Sequence, residues 1–232
     1  MVNGMVKIDK NYKLLKSDTI TVNKHILYRI VATKSFSNIK KGQLGGYIES
    51  TNNLSQYGNA WVHNYAMVYG KAWVSENAVI HDNVKVYDYA WVCGNAKIFN
   101  DAKIYGDTWV CNNVRIYDKV KIYGNAKIYD NVWVSEKANV FGDVEICGNV
   151  IVRNNAKVYG NAYVHGNAII SDHAEVYGNA EVYGDAYIGD SGKVYGNAKV
   201  YDNAKVSNYA RIYGKAVICN DRWICSNMKV YK

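Results

Sequence analysis

From residue 62 onward the chain repeats a six-residue pattern of apolar and polar positions without interruption. Every sixth residue from Val62 to Val230 is Val or Ile, 29 positions in succession. A second register, two residues before each of these, holds small side chains from Ala60 to Ala216: of 27 positions 19 are Ala and six are Val, with Thr108 and Gly192 the exceptions. A representative unit, residues 194–199, reads Val-Tyr-Gly-Asn-Ala-Lys. In Ala-Lys-Val-Tyr the period is two, so Ala and Val share one side and Lys takes the other, which predicts a short half-buried strand. Gly-Asn, Asp-Asn or Gly-Asp then supplies residues that tolerate the positive backbone dihedral of a tight turn. A helix is excluded, because six is no multiple of 3.6 and a turn at this interval would break it. Strands this short bury no core alone, so the units must stack on copies of themselves.

The outward positions decide how many units make one coil. With three units to the coil, the residue after the core aliphatic forms a column from Tyr69 to Tyr231 whose ten members are all aromatic, Phe141 being the one that is not Tyr. The sibling columns are mixed, opening His63, His81, Phe99 and Ser75, Cys93, Cys111. A triangular coil of three strands accounts for this and a two-sided coil does not. Ahead of the repeat, residues 12–36 read as a hairpin about Asn23-Lys24, and Gly42-Gln43-Leu44-Gly45-Gly46 leads into a degenerate first coil. The chain divides into an N-terminal β cap, 1–55, and a β-helix, 56–232. The cap is expected because an open solenoid end exposes strand edges and apolar core. At the far end Arg222 and Met228 replace the small residue, and their bulk is expected to plug the lumen.

This unit, an aliphatic residue, turn residues including Asn or Asp, then a small residue, resembles the hexapeptide-repeat family of left-handed parallel β-helices over residues 56 to 230. The resemblance implies an all-β, left-handed triangular solenoid; general connection rules would favour the other hand. Counted from Val62 the 28 units make about nine coils, a prism roughly 45 Å long. The cap motif Leu27-Tyr28-Arg29-Ile30 with Lys40-Lys41-Gly42-Gln43-Leu44-Gly45-Gly46-Tyr47-Ile48-Glu49, followed by Tyr-Gly-Asn-Ala units, is similar to small proteins carried by phages and prophages. That likeness implies an accessory protein of a mobile element and defines no activity.

Composition narrows the picture further. A hydrophobic share of 49% argues against disorder, and no apolar run approaches the roughly 20 residues of a membrane helix. The stretch Met1 to Lys16 lacks the apolar core of a secretory signal, so a cytoplasmic protein of a bacterial host is expected. The net charge is +8; residues 1–55 hold nine basic against three acidic side chains, +6, which leaves +2 for the rest. Attraction to nucleic acid or an acidic protein is therefore expected to begin at the cap, where Lys40 and Lys41 lie. Five cysteines without a CxxC pair favour free thiols; Cys93 and Cys111, on adjacent coils, are spaced near what a disulfide requires, but an intracellular setting favours reading them as corner fillers.

Several columns could carry chemistry. His63 and His81, three units apart, should stack at one corner and are weak candidates for a metal or a base, against the plainer reading of two solvated corner residues. The outward column containing Lys85, Lys103 and Lys121 has seven basic residues against one acid and runs beside Tyr87, Tyr105 and Tyr123. Such a ladder can track phosphates and stack bases, or it can simply keep a flat β face soluble while tyrosines stack coil on coil. Trp73, Trp91 and Trp109 are consecutive rungs of one face, open to a partner unless the cap folds over them. The threonine ladder of an ice-binding face is missing, Thr108 being the sole threonine after Thr51.

The leading expectation is a non-catalytic binding protein, without cofactor or membrane association, that engages a host protein or nucleoprotein target, such as a CRISPR effector of a bacterial defence system. Two alternatives stay open. The resemblance implies an acyltransferase or metal-dependent hydratase with His63 and His81 in a trimer interface, although the coils carry none of the long loops that build such sites. A filament-forming structural protein is the other.

Overall fold

A computed structural model of the chain describes residues 10–232. Lys7 and Asp9 of the basic segment, and most of the stretch from Met1 to Lys16, lie outside the described residues.

The six-residue period translates directly into backbone geometry. Every sixth residue from Asn64 to Ser226 has positive φ, with glycine, asparagine or aspartate at nearly all of these turn positions and Glu76, Glu136 and Ser226 as exceptions. Between turns, two residues suffice for a strand, as in Lys85–Val86 or Trp91–Val92. Each strand pairs in parallel with the one three units on, Lys85 opposite Lys103 and Trp91 opposite Trp109, and the backbone bonds follow, Met67 N–H to the Val84 carbonyl at 2.9 Å. The result is an all-β solenoid of about ten turns with three parallel faces. We call the face from Met67–Val68 to Lys229–Tyr231 the lysine face, that from Trp73–Val74 to Val217–Ile218 the tryptophan face, and that from Trp61–Val62 to Trp223–Ile224 the groove face. Inside, the Val/Ile and Ala registers form one continuous core with nearly every member at 0% exposure. At roughly 1.5–3 kcal/mol for each buried aliphatic side chain, this lining is the main stabilising term. The tight coil also fixes some glycines: a Cβ on Gly124 would lie 2.7 Å from the Gly142 nitrogen of the next coil.

The cap consists of β1 (Tyr12–Val22) and β2 (His25–Ala32), an antiparallel hairpin turning at Asn23-Lys24, and β3 (Leu44–Ile48). β3 is antiparallel to β2 yet parallel to Met67–Val68, so one sheet runs from the hairpin into the lysine face. The first coil thus begins at Leu44, which raises the count from nine to about ten. It is two residues longer than the others, Tyr47 pairing with Met67 and Leu54 with Val74. The loop between β2 and β3 closes the end of the prism: Ile39 is buried, and Phe36 packs edge-on against Trp61, ring centres 5.6 Å apart. Tyr12 completes the lid, its hydroxyl donating to the Leu54 carbonyl at 2.6 Å.

The far end departs from expectation. Met228 is 44% exposed and Arg222 is exposed as well. Neither plugs the lumen: both side chains lie outside the core, and Ile224 and Val230 are only partly buried beneath them. No α-helix occurs among the described residues, and hence none long and apolar enough to cross a membrane.

Candidate functional site

The corner joining the lysine and tryptophan faces carries the aromatic column. Its rings stack in parallel from Tyr69 to Tyr231, with Tyr87–Tyr105 at 4.8 Å and Tyr105–Tyr123 at 4.9 Å, each pair 4° from coplanar. His25 of the hairpin tops the stack, 5.2 Å from Tyr69. Its Nδ1 lies 2.9 Å from a Glu49 oxygen whose partner oxygen accepts the Gly70 N–H at 2.7 Å, so the hairpin is tied to the head of this edge. Burial, then the neighbouring phenols Tyr105 and Tyr69, push the Tyr87 hydroxyl up to about 12, and burial and Tyr123 raise Tyr105. These phenols stay neutral at physiological pH. The stacking agrees with the plainer of the two readings: Tyr87, Tyr105 and Tyr123 have both ring faces against neighbours in the column, from Tyr69 to Phe141, leaving edges and hydroxyls, so they offer no platform on which bases could stack.

On one side of this edge, Lys85, Lys103 and Lys121 stand in register on successive coils, and none meets a carboxylate among the described residues. Met67 begins the column as an apolar residue because it packs against the Leu27–Tyr47–Tyr69 cluster under the hairpin. Farther along, Glu175 lies between Lys157 and Lys193, at 3.9 and 3.4 Å, and offsets one of their two charges.

On the other side, Trp73 and Trp91 are 45% and 48% exposed, and Trp109 is partly buried. The cap does not cover them; it covers Trp61 instead, at 1% exposure. Trp91 donates its indole N–H to Ser75 Oγ at 3.3 Å, which orients the ring. A hollow of about 370 Å³ lies between Trp73, Trp91, Ser55 and Tyr57. Beneath the Trp91–Trp109 pair, Cys93 and Cys111 form a disulfide with Cα atoms 4.6 Å apart. The expectation of free thiols fails there because consecutive coils bring the two sulfurs into bonding range; Cys147, Cys219 and Cys225 are free. Distally this face is polar and paired, Glu181 bonding Lys199 and His165, which together hold its carboxyl below the usual range. The structure therefore brings Trp73, Trp91, Trp109, Tyr87, Tyr105, Tyr123, Lys85, Lys103 and Lys121 to one edge near the cap. Lys40 and Lys41 are not part of it: they sit exposed on the β2–β3 loop, their N–H groups donating to Gln43 and Ser35.

His63 and His81 stack at the corner between the groove and lysine faces, 4.5 Å apart. His81 Nδ1 lies 2.8 Å from Asp82. Burial and, second, the His81 ring hold His63 down at about 4, so it is a neutral imidazole. Among the described residues no three His, Cys, Asp or Glu side chains converge as a metal cluster would require, and no lid encloses the pair.

One feature escaped sequence reasoning. Where the tryptophan face turns into the groove face, Asn59 donates to Asn77 at 2.9 Å, Asn77 to Asn95 and Asn95 to Asn113 at 3.1 Å, and Asn113 to Asn131 at 3.0 Å. This amide row flanks a groove of about 690 Å³ floored by Val79, Lys97 and Arg115 and bounded at the cap by Ser37 and Asn38. The asparagines do recur once per coil, a signal available to the same column test, but the cap residues that bound the groove come from remote sequence.

No family model matches the chain, and no curated protein matches it.

Proposed function

We propose that this chain is a non-catalytic binding protein of hexapeptide-repeat type, carried by a mobile element, which engages a host protein or nucleoprotein target through the edge between its lysine and tryptophan faces. The observation that carries this reading is the exposure of Trp73 and Trp91, 45% and 48%, on coils too short and too tightly bonded to fold over them. Large exposed indoles are costly on a monomer's surface and dominate binding where they are buried by a partner. Three unpaired lysines one corner away suit an acidic target, which they would attract over a Debye length and orient on encounter. A defence complex that carries nucleic acid, such as a CRISPR effector, has that character. Phosphates would meet Lys85, Lys103 and Lys121, while the stacked tyrosines act as a stiff spine between the two strips.

The acyltransferase or hydratase alternative draws no support from the histidine corner, where a neutral His63 meets His81 with neither a third ligand nor an enclosing loop. The test is capture of partners from a bacterial lysate by wild type and by Trp73→Ala/Trp91→Ala, with mass spectrometry of what is retained. A partner enriched by wild type and lost with the double variant is expected. Identical profiles for the two proteins would overturn the reading.

A further inference from the structure

The groove on the third face lies away from the proposed partner edge and has a different chemistry. Each asparagine from Asn77 to Asn131 uses one N–H and one lone pair on its neighbours, which leaves one donor and one acceptor per residue. All of them are exposed, so these spare groups face solvent at intervals of one coil, about 4.8 Å. A series of hydroxyls, each both donor and acceptor, matches such a row. Beside it Lys97 and Arg115 are register partners on adjacent strands, both exposed and neither paired with a carboxylate among the described residues. Two adjacent uncompensated cations call for an oxyanion, and the guanidinium fork accommodates one in two-point fashion. At the capped end Trp61, which lines the groove, is 1% exposed with an indole N–H that has no acceptor among the described residues. A buried donor without a partner is unfavourable by itself and is satisfied by an acceptor brought to the site.

Other ligands fit less well. An extended peptide binds a sheet by adding to an edge, yet the strands that floor the groove, Val79–Ile80, Lys97–Ile98 and Arg115–Ile116, are paired on both sides. A nucleobase needs a free aromatic face, and His63 and His81 stack on each other. A ligand rich in hydroxyls that also bears an acid group remains. We propose that this groove binds an anionic carbohydrate, with its hydroxyls on the asparagine row and its carboxylate or phosphate on Lys97 and Arg115.

The full chain is titrated calorimetrically with a glucuronic-acid trisaccharide, with glucose 6-phosphate, with an uncharged glucose trisaccharide and with a pentaglutamate peptide. Saturable binding of an anionic sugar is expected, weaker with its uncharged counterpart and weakened at least about tenfold in Lys97→Ala/Arg115→Ala. Arg115→Lys should recover part of the loss. Binding of the uronate alone assigns the acid as a carboxylate, and of the sugar phosphate alone as a phosphate. Trp73→Ala/Trp91→Ala should bind the sugar as wild type does, which keeps this inference distinct from the partner edge. Thermal unfolding of every variant should match wild type, since the substituted side chains are exposed. Absence of saturable binding by both anionic sugars, equal binding by the uncharged one, indifference to the double substitution, or binding by the peptide alone would each overturn the proposal.

Discussion

The half of the prism near the cap and the half away from it are built from the same unit, yet their surfaces differ. Around Trp91 and Lys103 the outward residues are large, apolar or charged without partners. Around Glu175 and Glu181 the equivalent positions are knitted into ion pairs with Lys157, Lys193, Lys199 and His165. The interior does not share this difference: Ile104 and Ile188 are both fully buried. Core and surface are thus independent here, with the Val/Ile and Ala registers specifying the coil and the outward columns free to vary along it. What a face does must be read from pairing, since composition alone would count the lysines of both halves as equal.

The strongest way to break that comparison is to perturb the interior of each half. Ile104→Ala and Ile188→Ala should each destabilise the fold by about 2–5 kcal/mol, because each removes buried methyl groups from a lining that adjacent coils hold in place. Chemical denaturation of the two variants checks this. A much larger loss in one half would mean that packing as well as surface differs between them.

The outward residues should respond in the opposite, asymmetric way. Trp91→Ala is expected to weaken capture of the target by at least about tenfold, in keeping with a buried indole at an interface. Tyr163→Ala, on the same face but in the distal half and 36% exposed, should leave capture unchanged. Surface plasmon resonance against the recovered partner reads both; equal losses would spread the interface along the whole face and dissolve the distinction.

The coil itself was fully legible in the sequence, because a ten-member aromatic column appears only when the repeat is cut at three units. The start was less so. Two extra residues between Leu54 and Val62 hide in an ordinary Gly-Asn turn, which conceals a longer first coil. Trp61-Val62, Trp73-Val74 and Trp91-Val92 are identical dipeptides, yet one tryptophan is buried and two are exposed. The difference comes from Phe36 and Tyr12, whose docking on Trp61 no local pattern encodes. Both the buried lid and one wall of the groove belong to the cap, and the cap has no repeat from which to read them. Stacking between tyrosines, by contrast, follows from the coil repeat and was legible in it, and the loss of their ring faces to column neighbours follows with it.

Acid should separate the two ends at the corner they share. Folded His63 titrates at about 4, well below the ordinary 6.5, because burial first and the His81 ring second disfavour its charged form. The unfolded chain therefore takes up a proton that the folded chain refuses between those values, and stability present above pH 6.5 is lost as pH falls toward 4. The ring is partly exposed, so solvent moderates the effect. Hydrogen-exchange protection, corrected for the intrinsic rate at each pH, should fall around Val62 and Ile80 at pH 5 relative to pH 7, with little change around Val206, where Ser207 occupies the same corner. His63→Gln should remove the difference; an unchanged pH response would overturn its assignment to His63.

The smallest effect tests the pairing argument most directly. Glu175 alone separates Lys157 from Lys193 electrostatically, so Glu175→Gln should convert the distal lysine face into a copy of the proximal one. Stability should change by less than about 1 kcal/mol, as is usual for exposed ion pairs. Retention on an immobilised polyanion should nevertheless rise, with elution at higher salt than wild type, since two cations are released to it. Lys103→Gln should lower the elution salt, while Lys193→Gln, which removes a cation already paired, should lower it less. Were the two lysine variants to elute together, pairing would not govern the face, and the contrast between the halves would reduce to their tryptophans.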